Sequence, residues 1–477
     1  MNKLCSLFVI LLFAINSYAQ DYNLIDKTDL KSYIEILASD SLDGRYTGSI
    51  GQKKAANYLA IQFAKIGLTH FIEDSYFEEF ELEQSQWKEI YIRTNTKTLY
   101  NNKEISYIGN TEQKNGKEIE IVFGGKGTKE ELDQINVKNR MVLIFSENMR
   151  TNYSISDDLI SRQAYGMILA NPYNEKQFSA IRRSKGNFIL KKRIKMPEKD
   201  TLTGTYFRFF QDFIISNKQV KSIFGISISK LNKYIESNSI SKCPTTKIFV
   251  KTERNTEIIT TENVVGILPG KTDTCIIISA HYDHLGRKGD VYYPGADDNA
   301  SGISSLLELA ETFSKVQNRK YTMVFLATTG EEEGLFGSYI HANNESFEPQ
   351  KVLVNINMDM IGRKDEHNTN PEFTSENYVY AIGTGIYPNL KPILEKADIE
   401  YPNCIFDYSQ NNGDKCPWLY RASDQYSFYK KNIPAIFFFT GLHSDYHQST
   451  DTPEKINYDV LTNRVRLIGH VIEEFQK

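Results

Sequence analysis

Cysteine is scarce in this chain, with five residues among 477. No two of them form a C-x-x-C pair, which leaves them poor candidates for a metal site. An excess of charge of one sign is also lacking. Fifty-six Lys and Arg face 60 Asp and Glu for a formal net charge of −4, and nothing in that balance recruits nucleic acid. The apolar run from Leu4 to Ile15 falls short of the roughly 20 residues that a membrane-spanning helix needs. It follows Lys3 and precedes Ser17-Tyr18-Ala19, and that succession of a charge, an apolar core and small residues reads as an export signal cleaved after Ala19. Cys5 lies too early in the run to be a lipid-attachment site. Export to a periplasm or the cell exterior, with no stable membrane span after cleavage, is therefore the expectation. In such a compartment the remaining cysteines can oxidise. Cys404 and Cys416, which bracket the polar stretch from Ile405 to Lys415, are the candidate pair, and Cys275 reads as core.

With 40% hydrophobic and 24% charged residues, the chain has the texture of a soluble globular protein. Its length points to two domains behind the signal. Residues 20–83 hold two helical patterns, one on Leu30, Tyr33, Ile34 and Leu37 and one on Ala55, Ala56, Leu59 and Phe63. Asp40 to Gly48 divides them and Gly67 ends the second. Residues 84–241 change character: β-type runs such as Ile119–Phe123 and Met141–Phe145 alternate with charged and Asn/Gly-rich turns, and a helix carrying Ile160 and Ala164 leads into a strand from Met167 to Ala170. Within it, Arg182 to Lys199 carries a dense run of Lys and Arg, which reads as a solvated loop face.

Residues 242–477 alternate strand and helix in the manner of a doubly wound α/β domain. Strands are expected at Cys275–Ala280, Tyr321–Ala327, Val352–Asn357, Val379–Ile382 and Ile433–Phe439, with a helix from about Ala300 to Val316. The fold class expected is thus α/β, a mixed and mostly parallel central sheet flanked by helices, carrying an inserted β-rich α+β domain.

Five residues that bind metals well fall in order along this last segment: His281, Asp298, Glu332, Asp359 and His447. His281, Glu332 and Asp359 come at or just after the ends of apolar strands, where an α/β sheet presents side chains to its crevice. The bland readings are a structural histidine, an N-cap in Gly295-Ala296-Asp297-Asp298-Asn299-Ala300-Ser301-Gly302, and an acidic helix start at Glu331-Glu332-Glu333. An unpaired Asp359 at the end of a buried strand would cost several kcal/mol or so, a penalty that a cation removes. The small residues around Asp298 are expected to let a metal approach the backbone. Asp283, two residues beyond His281, can hold the other imidazole nitrogen. In His443-Ser444-Asp445-Tyr446-His447, Gly441 and Pro453 nearby argue for a loop, with His447 the ligand and His443 secondary.

Taken together, His281-x-Asp283, the Gly-Ala-Asp-Asp-Asn-Ala-Ser-Gly run, Glu331-Glu332-x-Gly334-Leu335-x-Gly337-Ser338, Met358-Asp359-Met360-Ile361-Gly362 and Tyr446-His447 with Asp451-Thr452 resemble the signature of the M28 zinc aminopeptidases. Leu37-Ala38-Ser39-Asp40 and Gly44-Arg45 are similar to that family's opening helices. Residues 137–144 and 164–168 more loosely resemble the protease-associated domain that many members carry as an insert.

The resemblance implies two Zn2+, one held by His281 and Asp359 and the other by Glu332 and His447, with Asp298 bridging. It implies Glu331 as general base, Asp283 as the partner of His281, and Tyr446 as donor to the substrate carbonyl. The substrate implied is a peptide or protein with a free N-terminus. Two zincs about 3.5–4 Å apart would acidify a shared water and clamp both reacting oxygens. Gln425 departs from the pattern, since relatives often carry His there. The rival readings are a glutaminyl cyclase, a carboxypeptidase of the same superfamily, and an inactive protein that captures peptides or glycans.

Overall fold

The computed structural model describes residues 25–148, 153–190, 192–197, 211–344, 346–368, 376–411 and 418–477, without the side chains of 153 and 184–190. The expected signal segment lies outside these residues, as does Cys416 and with it the expected Cys404 pairing. The chain divides into one unit made of residues 1–81 and 260–477 and a second made of 82–259.

In the first unit, helices α1 (Lys27–Leu37) and α2 (Ile50–Ile66) precede the sheet. Asp26 caps α1 by accepting from Thr28 N, and Ser49 caps α2 by accepting from Gln52 N. Gly67, at φ 85°, ends α2 in the left-handed conformation that glycine takes without strain. The sheet uses the end of β1 (Thr246–Leu268), then β2 (Thr272–His281), β3 (Tyr321–Thr328), β4 (Val352–Met358), β5 (Tyr378–Ile382), β6 (Ile405–Asp407) and β7 (Ala435–Phe439), in the order β6-β5-β7-β4-β2-β3-β1. The four central strands β7, β4, β2 and β3 are parallel. The pairs β1–β3 and β5–β7 are antiparallel. The sheet is therefore mixed and mostly parallel.

Both faces are covered, which is why the strands read as unbroken apolar runs. Ile276, Ile278 and Ala280 of β2 pack on one side with Leu30, Leu59, Leu307 and Leu461. Ile277 packs on the other with Val265, Leu326 and Phe428. Each such buried aliphatic side chain contributes about 1.5–3 kcal/mol. Helices α3 (Gly302–Ser314) and α4 (Tyr458–Gln476) complete the first face. Because β2, β3 and β4 run the same way, their C-terminal ends share one edge. The register Ser279↔Asn357 and His281↔Thr328 sets His281 level with the residues just after β3 and β4.

Within the second unit, six strand segments pair in succession. Residues 246–252, Gln113–Phe123, Met141–Phe145, Gly166–Ala170, Gln211–Ile215 and Ile105–Tyr107 lie side by side in that order. The middle four strands are parallel and the outer pairs antiparallel. Helices Tyr153–Ser161 and Glu175–Leu190 connect the parallel strands. The expected basic loop is not a loop. The second of these helices runs through its first half, and Arg193–Lys195 is a strand. Lys and Arg are good helix formers, so a charged face does not exclude a helix. Phe77–Arg93, a strand of 17 residues, had no counterpart in the sequence reading.

Candidate metal centre

The shared edge of β2, β3 and β4 brings the predicted donors together around Asp298. Its Oδ1 lies 3.4 Å from His281 Nε2 and its Oδ2 lies 3.3 Å from His447 Nε2. His281 Nε2 is in turn 3.3 Å from Asp359 Oδ1, and His447 Nε2 is 3.1 Å from Glu332 Oε2. One carboxylate thus stands between two histidine–carboxylate pairs, with an oxygen toward each.

Each group is fixed by its own segment. His281 ends β2, and Asp359 follows β4 with its backbone N–H on Phe438 O of β7 at 3.1 Å. Glu331 and Glu332 open the short helix Glu331–Gly334 after β3. Asp298 lies in the turn before α3, where Asp451 accepts from the backbone N–H groups of Asp297, at 3.0 Å, and Asp298, at 3.1 Å. The neighbouring Asn299 donates to Met358 O and accepts from Gly302 N and Met360 N, tying this turn to the end of β4. The small residues here serve close packing. A Cβ on Gly295, at φ +58°, would lie 2.2 Å from Asp298 O and 2.6 Å from the His284 ring. His447 sits in the loop expected for it, at φ 56°, with the Tyr446 ring stacked on its own at a centroid distance of 3.8 Å.

Other assignments shift in detail. The Asp283 carboxylate is 3.7 Å from His281 Nδ1, and the nearer contact is its backbone carbonyl at 3.2 Å. The carboxylate itself accepts from Thr47 Oγ1 at 2.8 Å and from Glu331 N at 3.3 Å. His443 stays out of the cluster and meets Asp297 Oδ2 at 3.1 Å. Gln425 is buried and acts behind the site. It accepts from Asn357 Nδ2, which also donates to Ser423 Oγ, and Ser423 Oγ donates to Asp359 Oδ2 at 2.8 Å.

The electrostatics are those of a buried acidic pocket short of positive charge. Burial pushes Asp283 up to about 7 although His281 opposes it. Burial, with Asp359, Glu332 and Asp424 close by, drives Glu331 well above the usual carboxylate range. Burial alone would lower His447, yet Asp298 and Glu332 hold it up at about 10. Two atoms mark where a cation fits: Glu332 Oε1 and His284 Nδ1 are both fully buried, lie 2.7 Å apart, and have no aligned hydrogen-bond partner. Nitrogen and carboxylate donors in this mixture suit zinc.

Sequence reasoning missed two residues here. His284 was visible only as the last letter of Ser279-Ala280-His281-Tyr282-Asp283-His284. Arg45 was noted for its likeness to the opening helices, without a role. It is buried, and its guanidinium donates to Tyr282 O at 2.8 Å, Pro294 O at 2.7 Å, Gly295 O at 3.0 Å, and Leu37 O.

Residues 263–472 match Peptidase family M28. Leucine aminopeptidase 2 of Trichophyton rubrum is 27% identical over 240 residues, covering 46% of this chain and 45% of that protein. The chain therefore spans about half the length of this curated relative. An aminopeptidase from Aneurinibacillus sp. strain AM-1 shares the fold with a TM-score of 0.57 at 20% identity, covering 95% of this chain and 94% of its own. The zinc aminopeptidase BSAP of Bacillus subtilis does so with a TM-score of 0.54 at 18% identity, covering 95% and 96%. The segment matched to Peptidase family M28 is the one that carries all five donors and Glu331.

Proposed function

We propose that this protein is an exported two-zinc metallo-exopeptidase that removes N-terminal residues from peptides. The observation that carries the reading is the placement of Asp298, with one oxygen toward His281 and Asp359 and the other toward His447 and Glu332. His281 and Asp359 would hold one zinc, Glu332 and His447 the other, and Asp298 would bridge them. The names of the relatives, leucine aminopeptidase and zinc aminopeptidase, supply the reaction class. Residues 84–241 are proposed as a protease-associated-like insert.

When bound, two zinc ions polarise the scissile carbonyl and make an attacking water more acidic. Glu331 does the proton work. Its Oε2 lies 3.9 Å from His281 Nε2, and its carboxylate takes the proton of the attacking water and hands it to the leaving amine. Asp283 holds the Glu331 backbone N–H and so fixes the start of that turn. Tyr446, stacked on His447, donates its hydroxyl to the oxygen that gains charge. Ser423 and Asn357 orient Asp359 from behind.

The test is a panel of peptides with free and acetylated N-termini, assayed with the purified protein before and after chelation and zinc add-back. Release of N-terminal residues from free peptides only, lost on chelation and restored by zinc, is expected. Ring closure of N-terminal Gln without hydrolysis, release from the C-terminus, or turnover indifferent to chelation would overturn the reading.

A further inference from the structure

Beyond the five donors stands His284, three residues past His281, wholly buried and assigned no task by the reading above. Its backbone N–H is held by Arg45 O at 3.2 Å, and its ring lies against Gly295, where any Cβ would come within 2.6 Å of the ring carbons. Backbone and packing therefore fix the imidazole in one place. Its Nδ1 points into the half of the centre occupied by Glu332 and His447. It is 2.7 Å from Glu332 Oε1 and 3.7 Å from Asp298 Oδ2, and the ring stands edge-on to that of His447 at a centroid distance of 5.9 Å.

Neither ring nitrogen has an aligned hydrogen-bond partner. A buried imidazole whose nearest acceptor, Glu332 Oε1, is close but poorly aligned gains little from that contact, and an apolar side chain of similar size would serve packing better. The group left unpaired is a lone pair or an N–H aimed at two carboxylates. Donors on a tetrahedral zinc with bonds of about 2.0–2.1 Å lie about 3.3–3.4 Å from one another. The distances from His284 Nδ1 to Glu332 and Asp298, 2.7 and 3.7 Å, bracket that value, and those from His447 Nε2 to the same two carboxylates, 3.1 and 3.3 Å, lie at or just below it.

We infer that His284 is a direct donor to the cation held by Glu332 and His447. That half of the centre then has two imidazoles, from His284 and His447, and two carboxylates, from Glu332 and Asp298, which is a full tetrahedral set. The half at His281 has three protein donors, His281, Asp359 and Asp298, and keeps a position open for reacting groups. The inference rests on the two-zinc reading above and adds a ligand to it.

The test uses the full chain stripped of metal. Zinc binding to wild type and to His284→Gln is followed by calorimetry and elemental analysis, and cobalt replaces zinc for visible absorption. His284→Gln is expected to bind one zinc as wild type does and the other about 100-fold or more weakly, a loss at or above the 10–100-fold typical of residues that only orient a ligand. The cobalt absorption of the weakened site should shift in position and intensity. Unchanged affinities overturn the inference. So does a weaker site whose cobalt spectrum overlays that of wild type, because His284 would then merely orient Glu332. If the variant does not fold, anomalous diffraction at the zinc edge from wild-type crystals decides: a peak within bonding distance of His284 Nδ1 is expected, and a peak bonded to Glu332 and His447 but not His284 overturns it. A wild-type protein that binds two zincs yet cleaves no peptide would leave this ligand standing and remove the peptidase reading. One that binds no metal removes both.

Discussion

The guanidinium of Arg45 donates to the carbonyl oxygens of Tyr282, next to His281, and Gly295, three residues before Asp298. A residue from the N-terminal helices thereby sets the spacing of two donors that lie more than 230 positions further along the chain. Its other bonds go to Leu37 O and Pro294 O. Lysine cannot reproduce this fork of donors. Arg45→Lys should lower unfolding free energy by about 3 kcal/mol, since buried carbonyls lose charged partners, and should weaken zinc binding as well. Denaturant melts and metal titration check both. A variant that is destabilised while binding zinc normally would confine Arg45 to a structural part.

Asn263 closes the turn that carries Glu331 and Glu332. Its Oδ1 accepts from Thr329 N at 3.2 Å and its Nδ2 donates to Gly337 O at 2.9 Å and to Glu78 Oε2 at 2.8 Å. Glu78 also meets His341 Nδ1 at 3.0 Å. Asn263→Asp keeps the shape, removes both donor bonds and sets a second acid against Glu78. A loss of about 2–4 kcal/mol is expected from the unpaired buried groups. Asn263→Ala, without the added charge, should cost less, and the ranking of the two by urea denaturation is the check.

The parts of this fold that could be read from sequence are those in which local pattern and tertiary environment agree. Strands such as Cys275–Ala280 are buried on both faces, so they appear as uninterrupted apolar runs, and their ends carry His281 and Asp359. Phe77–Arg93 is different. Its exposed positions are Glu79, Glu81, Gln86, Lys88 and Arg93, while Glu78, Gln84 and Ser85 are buried, so polar residues on both faces obscured the strand period. Arg45 was out of reach for another reason: its partners are Tyr282, Pro294 and Gly295, and nothing local to Gly44-Arg45 records them. His284 was written in the motif but looked redundant beside His281, because a list of residues does not show which nitrogens lack a partner.

Glu308, on α3, is a buried acid with no ion-pair partner among the described residues. Its Oε2 accepts from Asp26 N at 3.1 Å and its Oε1 has no aligned hydrogen-bond partner. Burial, with Asp29, Glu311 and Asp26 nearby, pushes it up to about 8. The folded state thus binds this proton more tightly than the unfolded chain, whose Glu releases it near its ordinary pKa of about 4.3. The stability attached to the proton is full below that value and is lost as pH rises toward 8. Glu308→Gln keeps the acceptor for Asp26 N and removes the titration. Its melting temperature should exceed that of wild type at pH 9, by a margin that closes near pH 4–5. A margin that does not change with pH would locate the effect elsewhere.

Glu331 tests the division of labour within the centre most directly. It sits next to Glu332 in sequence, yet the two face different partners. Glu332 Oε2 lies 3.1 Å from His447 Nε2, whereas Glu331 Oε2 stands 3.9 Å from His281 Nε2. A base has to stand back from the metal donors to reach a proton, and a ligand cannot. Glu331→Gln preserves the shape and the bond from its backbone N–H to Asp283 while removing the base. It should lower kcat by about 10²–10⁴-fold, with zinc content and KM close to those of wild type. Glu332→Gln should instead shed zinc. Loss of metal from the Glu331 variant would make Glu331 a ligand and leave the proton transfer to another carboxylate.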